Sequence, residues 1–293
     1  MITDATESGA QPGRRVFVAL GWFLLLSLVA GCAAPGAQRY LNESAGDDVL
    51  TGHRYLGPIE ARDIGRIDLE RLDPTTYRFI ESGEVMGEQV IERGAVGATI
   101  RETRILLIDD AIVTLLLNRG KTGRIYGIEL EAVETASGEP AGEEMIREAR
   151  VLASAMMGPI FAYERAVLGK PLVVDALYSW DMSEAVRDLL QATDEGSQAG
   201  DWMDGMDLLA EGTSRYLGVT QTAEGEAAVF REYVNMELEM DGMSQTAHGA
   251  GWRLIDRRTG ALIERDMRMK VQYAMDGDVY STYEGERVEL ADD

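Results

Sequence analysis

Apolar residues at every second position, over a long stretch near the C-terminal end, constrain the fold more than any other feature. From Tyr216 to Leu290 apolar and polar residues alternate, and the clearest run sets Met267, Met269 and Val271 between charged or polar neighbours. Successive side chains of a β-strand point to opposite faces, so the pattern predicts antiparallel strands with one buried and one wetted face. Such strands are stable only in a sheet whose apolar face is covered.

A second strand-rich block lies earlier in the chain. Short runs of β-branched residues and leucine fill residues 76–135, with turn signals at 109–110 and 118–123. Short runs bounded by glycine and aspartate turns are typical of antiparallel strands. We therefore predict two β blocks, this one and a C-terminal block over 214–290.

The residues between the blocks, 142–211, favour helices. From Glu143 to Met157 apolar residues recur at helical spacing, and Gly158-Pro159 ends the pattern. Further helices are expected after Asp181, where Glu184 completes a capping box, and over 201–209. The sequence thus predicts an α+β fold. Its centre is a curved, half-barrel-like antiparallel sheet built from the two β blocks, with the helical segment packed against it.

The N-terminus has the pattern of an export signal. Arg14 and Arg15 precede an apolar run over 16–30, which ends at Gly31 and Cys32. The run is about as long as a signal-peptide core and shorter than the roughly 20 residues of a membrane-spanning helix. General secretion is favoured by the strongly apolar run, while the paired arginines leave twin-arginine export open.

Val29-Ala30-Gly31-Cys32 resembles the lipobox of bacterial lipoproteins. The resemblance implies that the thiol of Cys32 receives a diacylglyceryl group, and that the mature chain begins there with three acyl chains, palmitate among them. Ala33, in place of aspartate, implies sorting to the outer membrane, with the chain facing the periplasm. The alternative is a buried cysteine in an N-terminal helix. We divide the chain into a signal peptide (1–31), a flexible tether (32–62) and one domain (63–293).

Charge and cysteine content limit what this domain can do. The chain has 51 acidic and 28 basic residues and a net charge of -23, so nucleic acid is not expected as a partner. The same charge gives no attraction to anionic lipids, so membrane attachment must depend on Cys32. Because Cys32 is the only cysteine, no internal disulfide can form and the core alone must stabilise the fold.

Three C-terminal segments are similar to parts of uncharacterised, β-rich bacterial envelope proteins. They are Leu168 to Val174, Gly225 to Val229, and Gly251 to Asp256 with its Thr259-Gly260 turn. The resemblance implies a curved antiparallel sheet in the cell envelope and assigns no activity.

Residues typical of catalysis or metal binding are few. His53 lies in the expected tether and His248 in an expected glycine-rich turn, and no serine or cysteine nucleophile motif surrounds either. Asp201, Asp204 and Asp207 lack the order of a calcium loop and favour a solvated helix face. We predict no cofactor, no metal and no enzyme activity. A hydrolase that uses a pair of carboxylates stays open because acidic residues are so numerous.

Methionines provide the remaining candidate site. Met236, Met240, Met267 and Met269 concentrate on the C-terminal strands. Methionine is flexible and polarisable and suits surfaces that receive varied apolar ligands. We therefore predict a non-enzymatic, lipid-anchored envelope protein that binds an apolar small molecule or an envelope protein. The alternatives are a plain core under the helices and a structural component of an outer-membrane complex.

Overall fold

A computed structural model describes residues 58–81, 84–108, 111–135, 137–143, 145–146, 160–183, 207–240, 243–275 and 278–291. The described part is mostly β. Its strands are β1 (Ile64–Arg66), β2 (Leu72–Glu81), β3 (Glu84–Val96), β4 (Thr99–Ile108), β5 (Ala111–Gly120), β6 (Ile125–Thr135), β7 (Pro171–Leu172), β8 (Leu177–Asp181), β9 (Asp207–Thr222), β10 (Gly225–Met240), β11 (Met243–Asp256), β12 (Leu262–Met275) and β13 (Asp278–Leu290).

One antiparallel sheet contains eleven of these strands, in the order β6-β5-β4-β3-β2-β13-β12-β11-β10-β9-β8. The two predicted β blocks join where β13 pairs with β2, with Val288 opposite Phe79. The prediction of one large antiparallel sheet is therefore confirmed. The sheet does not close into a barrel, and β6 and β8 form its two edges. Strands β1 and β7 pair separately.

The helical segment predicted over 142–211 is only partly correct. Residues 143, 145–146 and 160–167 are helical, and β7, β8 and the start of β9 follow. Gly169, at a φ of 74°, ends the second helical stretch, and Pro171 then favours extended backbone. The predicted helix over 201–209 is wrong at residues 207–209, which pair with the long strand β10; residues 184–190 and 201–206 lie outside the described part.

The helix over 160–167, called here the bridging helix, contacts both arms of the sheet. The guanidinium of Arg119 in β5 lies 5.3 Å from the ring of Phe161, while the ring of Phe230 in β10 lies 6.2 Å from that of Tyr163. In a flat sheet β5 and β10, seven strand spacings apart, would be about 34 Å from each other. The sheet must therefore bend around the bridging helix. None of the described helices is both long and apolar enough to cross a membrane.

The last residues of the predicted tether belong to the fold. Glu60 exchanges backbone hydrogen bonds with Val219 at the edge of β9, and Tyr216 donates its hydroxyl hydrogen bond to the carbonyl of Arg62. Gly218, with a φ of 135°, makes this contact possible, because a Cβ there would overlap the carbonyl of Glu60. Glu60 and Arg62, within the stretch assigned to the tether, thus make hydrogen bonds to β9.

The chain then crosses one end of the bent sheet. The amide of Leu69 donates to the carbonyl of Lys121 in the β5–β6 turn, and the amide of Glu70 to that of Thr259 in the β11–β12 turn. Ile67 and Leu69 are buried in the largest hydrophobic cluster. This segment therefore ties two distant turns together and seals that end of the interior.

Candidate ligand-binding site

The structure brings the predicted methionines together on the inner face of the bent sheet. Met236 in β10 and Met267 and Met269 in β12 belong to one buried cluster, and each is 5% exposed or less. Met240 ends β10, but its side chain lies outside the described part. We call Met236, Met267 and Met269 the methionine shelf.

Two glycines of β11 make room for the shelf. Gly249 and Gly251 pair with Met269 and Met267 in the register of β11 and β12. A Cβ on Gly249 would stand 2.8 Å from the Cγ of Met269, and one on Gly251 would overlap Met267. At these two positions the inner face of β11 therefore consists of backbone alone, here called the glycine floor, and the flexible side chains of Met267 and Met269 fill the space above it.

Aromatic rings from the bridging helix and from β8 lie in the same cluster. The ring of Tyr163 meets that of Trp180 edge to face at 5.0 Å, and the ring of Phe230 at 6.2 Å. Gly212 lets Trp180 lie flat against β9, because a Cβ there would overlap its indole. These rings, carried on the bridging helix, β8 and β10, thus belong to the same buried cluster as the shelf.

A buried ionic cluster lies beside this apolar region. Glu102 of β4 is 0% exposed and accepts hydrogen bonds from Arg93 (2.7 Å), Arg104 and Arg119 (3.0 Å). Glu164 of the bridging helix binds the Nη2 of Arg119 and lies 3.6 Å from the Nη2 of Arg104. These five residues, here the arginine cluster, hold the bridging helix against β4 and β5.

The arginines set the protonation of this cluster. Burial alone would raise the pKa of Glu102, but the charges of Arg104, Arg119 and Arg93 outweigh it and hold that pKa well below the ordinary value. A glycosidase of this design needs one carboxyl group that stays protonated as the acid. Glu102, which three arginines hold in the ionised form, does not meet this need.

Two polar atoms at the arginine cluster have no hydrogen-bond partner among the described residues. They are the hydroxyl of Tyr77 in β2, a residue 1% exposed, and the Nε of Arg119. Burial raises the pKa of Tyr77 to about 12, against the lowering effect of Arg93 and Arg104. The hydroxyl is therefore neutral and can donate a hydrogen bond.

A smaller ionic cluster lies on the other arm. Glu232 of β10 accepts hydrogen bonds from Ser214 (3.1 Å), Arg253 (3.1 Å) and Arg265 (2.9 Å). The guanidinium of Arg253 also lies 3.5 Å from the ring centre of Tyr163. Both arms of the inner face thus carry buried charge next to the bridging helix.

Of the remaining candidate residues, the structure describes His248 and the backbone of Asp207. His248 lies within β11 rather than in a turn, opposite Asn235 and Lys270, and burial lowers its pKa. Cys32, His53, Asp201 and Asp204 lie outside the described residues. Among the residues that the structure describes, no three metal-binding side chains come together.

Comparison with known proteins leaves the site to be interpreted from its own geometry. No family model matches the chain, and neither a curated protein nor a solved structure does so.

Our sequence analysis missed both ionic clusters. A signal was present in their positions: Glu102 and Arg104 lie between Ile100 and Leu106 at every second position of β4, on the same face, and all four are buried. Charged residues at the inward positions of a strand indicate a polar site inside the fold. Their partner Glu164 lies within the predicted helical segment, in a helix whose bounds the sequence did not predict.

Proposed function

We propose that this protein is a lipid-anchored module of the bacterial envelope that binds an acyl chain on the inner face of its bent, half-barrel-like sheet. Cys32 would carry the anchor, and the domain would face the periplasm from the outer membrane. The observation that supports binding most is the methionine shelf over Gly249 and Gly251, which shares one buried cluster with residues of the bridging helix.

The open sheet favours this proposal over a plain core. The edge strands β6 and β8 do not pair with each other, and the two arms are joined by side chains and, at one end, by the backbone hydrogen bonds of Leu69 and Glu70; the opposite end can therefore separate at moderate cost. The bridging helix and Trp180 are the cover that would move. A ligand could then enter between cover and sheet without breaking any of the pairs between neighbouring strands.

Methionine on a glycine floor favours a flexible apolar ligand. A methionine side chain has three rotatable bonds and can change conformation without leaving the cluster. Met267 and Met269 can therefore fold aside from Gly251 and Gly249 and leave a channel along β11. An acyl chain is long, narrow and flexible, and matches a channel one strand wide.

A binding measurement on shelf variants tests the proposal. The neutral probe is tritiated 1-hexadecanol, and the variant is Met267→Leu with Met269→Leu, which keeps the volume and removes the flexibility. We expect hexadecanol to bind the unchanged chain and to lose roughly tenfold in affinity in the variant. Met145→Leu, the same change in another cluster, should bind like the unchanged chain. No binding by the unchanged chain, or equal binding by the shelf variant, contradicts the proposal.

One observation favours a protein partner as a second candidate function. Strand β6 is an edge of the sheet, and Tyr126 and Ile128 on it are 61% and 54% exposed. Only its C-terminal end is capped within the described residues, by hydrogen bonds among Val133, Thr135, Glu139 and Ala141. An exposed apolar edge strand is a template for strand addition. Ile128→Lys should abolish partner binding at this edge and leave hexadecanol binding intact, as pull-down and titration would show.

A further inference from the structure

The end of the sheet that the chain crosses between β1 and β2, here called the sealed end, exposes several large apolar side chains. Four such residues are between 49% and 61% exposed: Val96, Tyr126, Val173 and Leu177. Single exposed apolar residues are common on protein surfaces, but a group of them at one place typically marks a site of contact with a protein or a membrane. We call these four side chains the apolar tips.

Val96 and Tyr126 lie close together at the sealed end. Val96 ends β3 and pairs with Thr99, which pairs in turn with Gly120 at the end of β5. A Cβ on Gly120 would lie 3.0 Å from the hydroxyl of Tyr126. Val96 is thus two strand spacings, about 10 Å, from the residue that the hydroxyl of Tyr126 approaches.

Val173 and Leu177 belong to the same end. Gly169, four positions before Val173, lies against the turn between β5 and β6, where a Cβ on Gly169 would stand 2.6 Å from the Cβ of Thr122. Leu177 begins β8. Because Tyr126 lies on one edge strand and Leu177 on the other, a surface that contacts both also meets the gap between the two edges.

Charges balance around the apolar tips, in contrast to the whole chain. The segments 63–70, 121–124 and 168–176 contain four basic and four acidic residues: Arg66, Lys121, Arg124, Lys170, Asp63, Asp68, Glu70 and Asp175. Two of the acids are paired, Asp68 with Arg66 at 3.1 Å and Glu70 with Lys121 at 2.7 Å. The net charge of -23 therefore resides elsewhere in the chain. Salt screens charges beyond about 8 Å, so these segments meet a membrane as a neutral surface.

The predicted tether leaves the domain at the sealed end. The carbonyl of Pro58 accepts a hydrogen bond from the hydroxyl of Thr220 near the end of β9, and Glu60 pairs with Val219. Cys32 is 26 positions before Pro58, and a flexible chain of this length spans roughly 25–30 Å on average. A bilayer that holds the lipid of Cys32 would therefore meet the sealed end at an effective concentration in the millimolar range. At that concentration a weak apolar contact is sufficient for docking.

We infer that the sealed end docks on the lipid bilayer that carries the anchor, with the apolar tips inserted at the level of the head groups. The inference rests on the proposed lipid anchor at Cys32. The three aliphatic tips are withdrawn from water, and this burial drives the contact. The ring of Tyr126 lies 5.6 Å from the guanidinium of Arg124, and such a pair suits the boundary between acyl chains and head groups. The contact is apolar, so it needs no anionic lipid.

Fluorescence quenching of the full, lipidated chain on phosphatidylcholine vesicles tests this inference. Ala98→Cys, in the exposed turn next to Val96, introduces a thiol for a fluorophore, since Cys32 is the only native cysteine and would carry the lipid. Ser137→Cys, exposed beyond the other end of β6, is the matched position. Spin-labelled head groups should quench most of the emission at position 98 and little of it at position 137.

The same measurement separates docking from anchoring. A chain that floats with the vesicles but shows equal quenching at positions 98 and 137 overturns the docking and leaves the anchor standing. A chain that does not float with the vesicles contradicts the anchor and the docking together.

Two pairs of substitutions show whether the apolar tips hold the sealed end to the bilayer. Val173→Ser with Leu177→Ser removes two tips, and we expect the ratio of docked to undocked domain to fall about tenfold. Val85→Ser with Val279→Ser is the matched control, because these valines are 56% and 66% exposed at the opposite end of the sheet. The control should dock like the unchanged chain. Unchanged docking of the variant without the two tips would overturn the proposal.

Lipid composition and salt separate an apolar contact from the alternatives. Apolar docking predicts the same quenching at position 98 on vesicles that contain phosphatidylglycerol and in high salt. Docking that requires phosphatidylglycerol and disappears in high salt would show that basic residues bind anionic lipid, and would overturn the apolar contact. A fluorophore that enters an apolar environment without being quenched by spin-labelled lipid would show a second copy of the chain on the tips, and would overturn it as well.

Discussion

At the scale of single residues, Glu102 holds the most consequential position in the described structure. It is fully buried and joins three arginines from three neighbouring strands. Removing one partner of a buried ionic group typically costs about 3–5 kcal/mol, because the other charges are left uncompensated. We expect Glu102→Gln to lower the free energy of unfolding by that order, as urea denaturation would measure. Glu129→Gln, on the exposed edge strand β6, is the matched control and should change it by less than about 0.5 kcal/mol.

The lowered pKa of Glu102 also predicts how the free energy of unfolding depends on pH. Its pKa in the folded protein lies well below the ordinary value of 4.5, so the folded state favours the charged form. The stabilisation is complete above that ordinary value and is lost as the pH falls below it toward the lowered pKa. Urea unfolding from pH 7 to pH 3 should show this loss, and Glu102→Gln should flatten the curve between pH 4.5 and 3. An equally steep curve in the variant would show that other carboxylates cause the acid sensitivity.

At the scale of elements, the sequence predicted strands better than helices. The alternation of apolar and polar residues over the C-terminal block predicted strands, and β10, β11 and β12 lie there. Strands β7 and β8 contain too few residues to show an alternation of apolar and polar side chains. The start of β9 follows aspartates spaced three residues apart, a pattern that favours a helix. The extended course of Asp207 to Leu209 is imposed by pairing with β10, a contact that local propensity does not encode. The number of methionines in the C-terminal strands predicted an apolar site there. That Gly249 and Gly251 lie beside Met269 and Met267 became visible only from the pairing of β11 with β12.

A substitution at Gly218 tests whether the segment before β1 docks on β9 through the contact between Gly218 and Glu60. The positive φ of Gly218 and its contact with Glu60 both exclude a side chain. We expect Gly218→Ala to cost about 1–3 kcal/mol of stability and to expose the amide of Glu60 to hydrogen exchange. Gly127→Ala is the control, since a Cβ there meets nothing within 4 Å and should have little effect. Unchanged protection of Glu60 in the Gly218 variant would show that the docking is independent of this contact.

At the scale of the whole molecule, both the bend of the sheet and the proposed lipid anchor would serve the binding of an acyl chain. The bend brings the two arms to one helix, and the anchor would hold that enclosed surface at a membrane, which is a source of acyl chains. The net charge of -23 gives no electrostatic attraction to anionic lipids. The anchor was predicted from a local motif at residues 29–32, whereas the bend depends on contacts of the bridging helix with Arg119 and Phe230, which are 42 and 67 positions away from their partners in the chain.

Changing Cys32 to serine tests the anchor. Serine cannot accept the diacylglyceryl group through a thiol, so Cys32→Ser should abolish palmitate labelling and leave an unprocessed or soluble chain. Fractionation of cells grown with labelled palmitate would measure both. A Cys32→Ser chain that is still labelled, processed and bound to the outer membrane would show that lipid attachment occurs elsewhere or not at all.

Mass spectrometry of the chain extracted from bacterial membranes tests the central claim most directly. A covalent lipid on Cys32 adds the same mass under native and denaturing conditions, whereas a ligand on the methionine shelf is lost on denaturation. We predict a native mass that exceeds the denatured mass by one acyl compound, with the excess reduced by Met267→Leu with Met269→Leu. Equal native and denatured masses in a folded, membrane-derived sample would contradict acyl-chain binding.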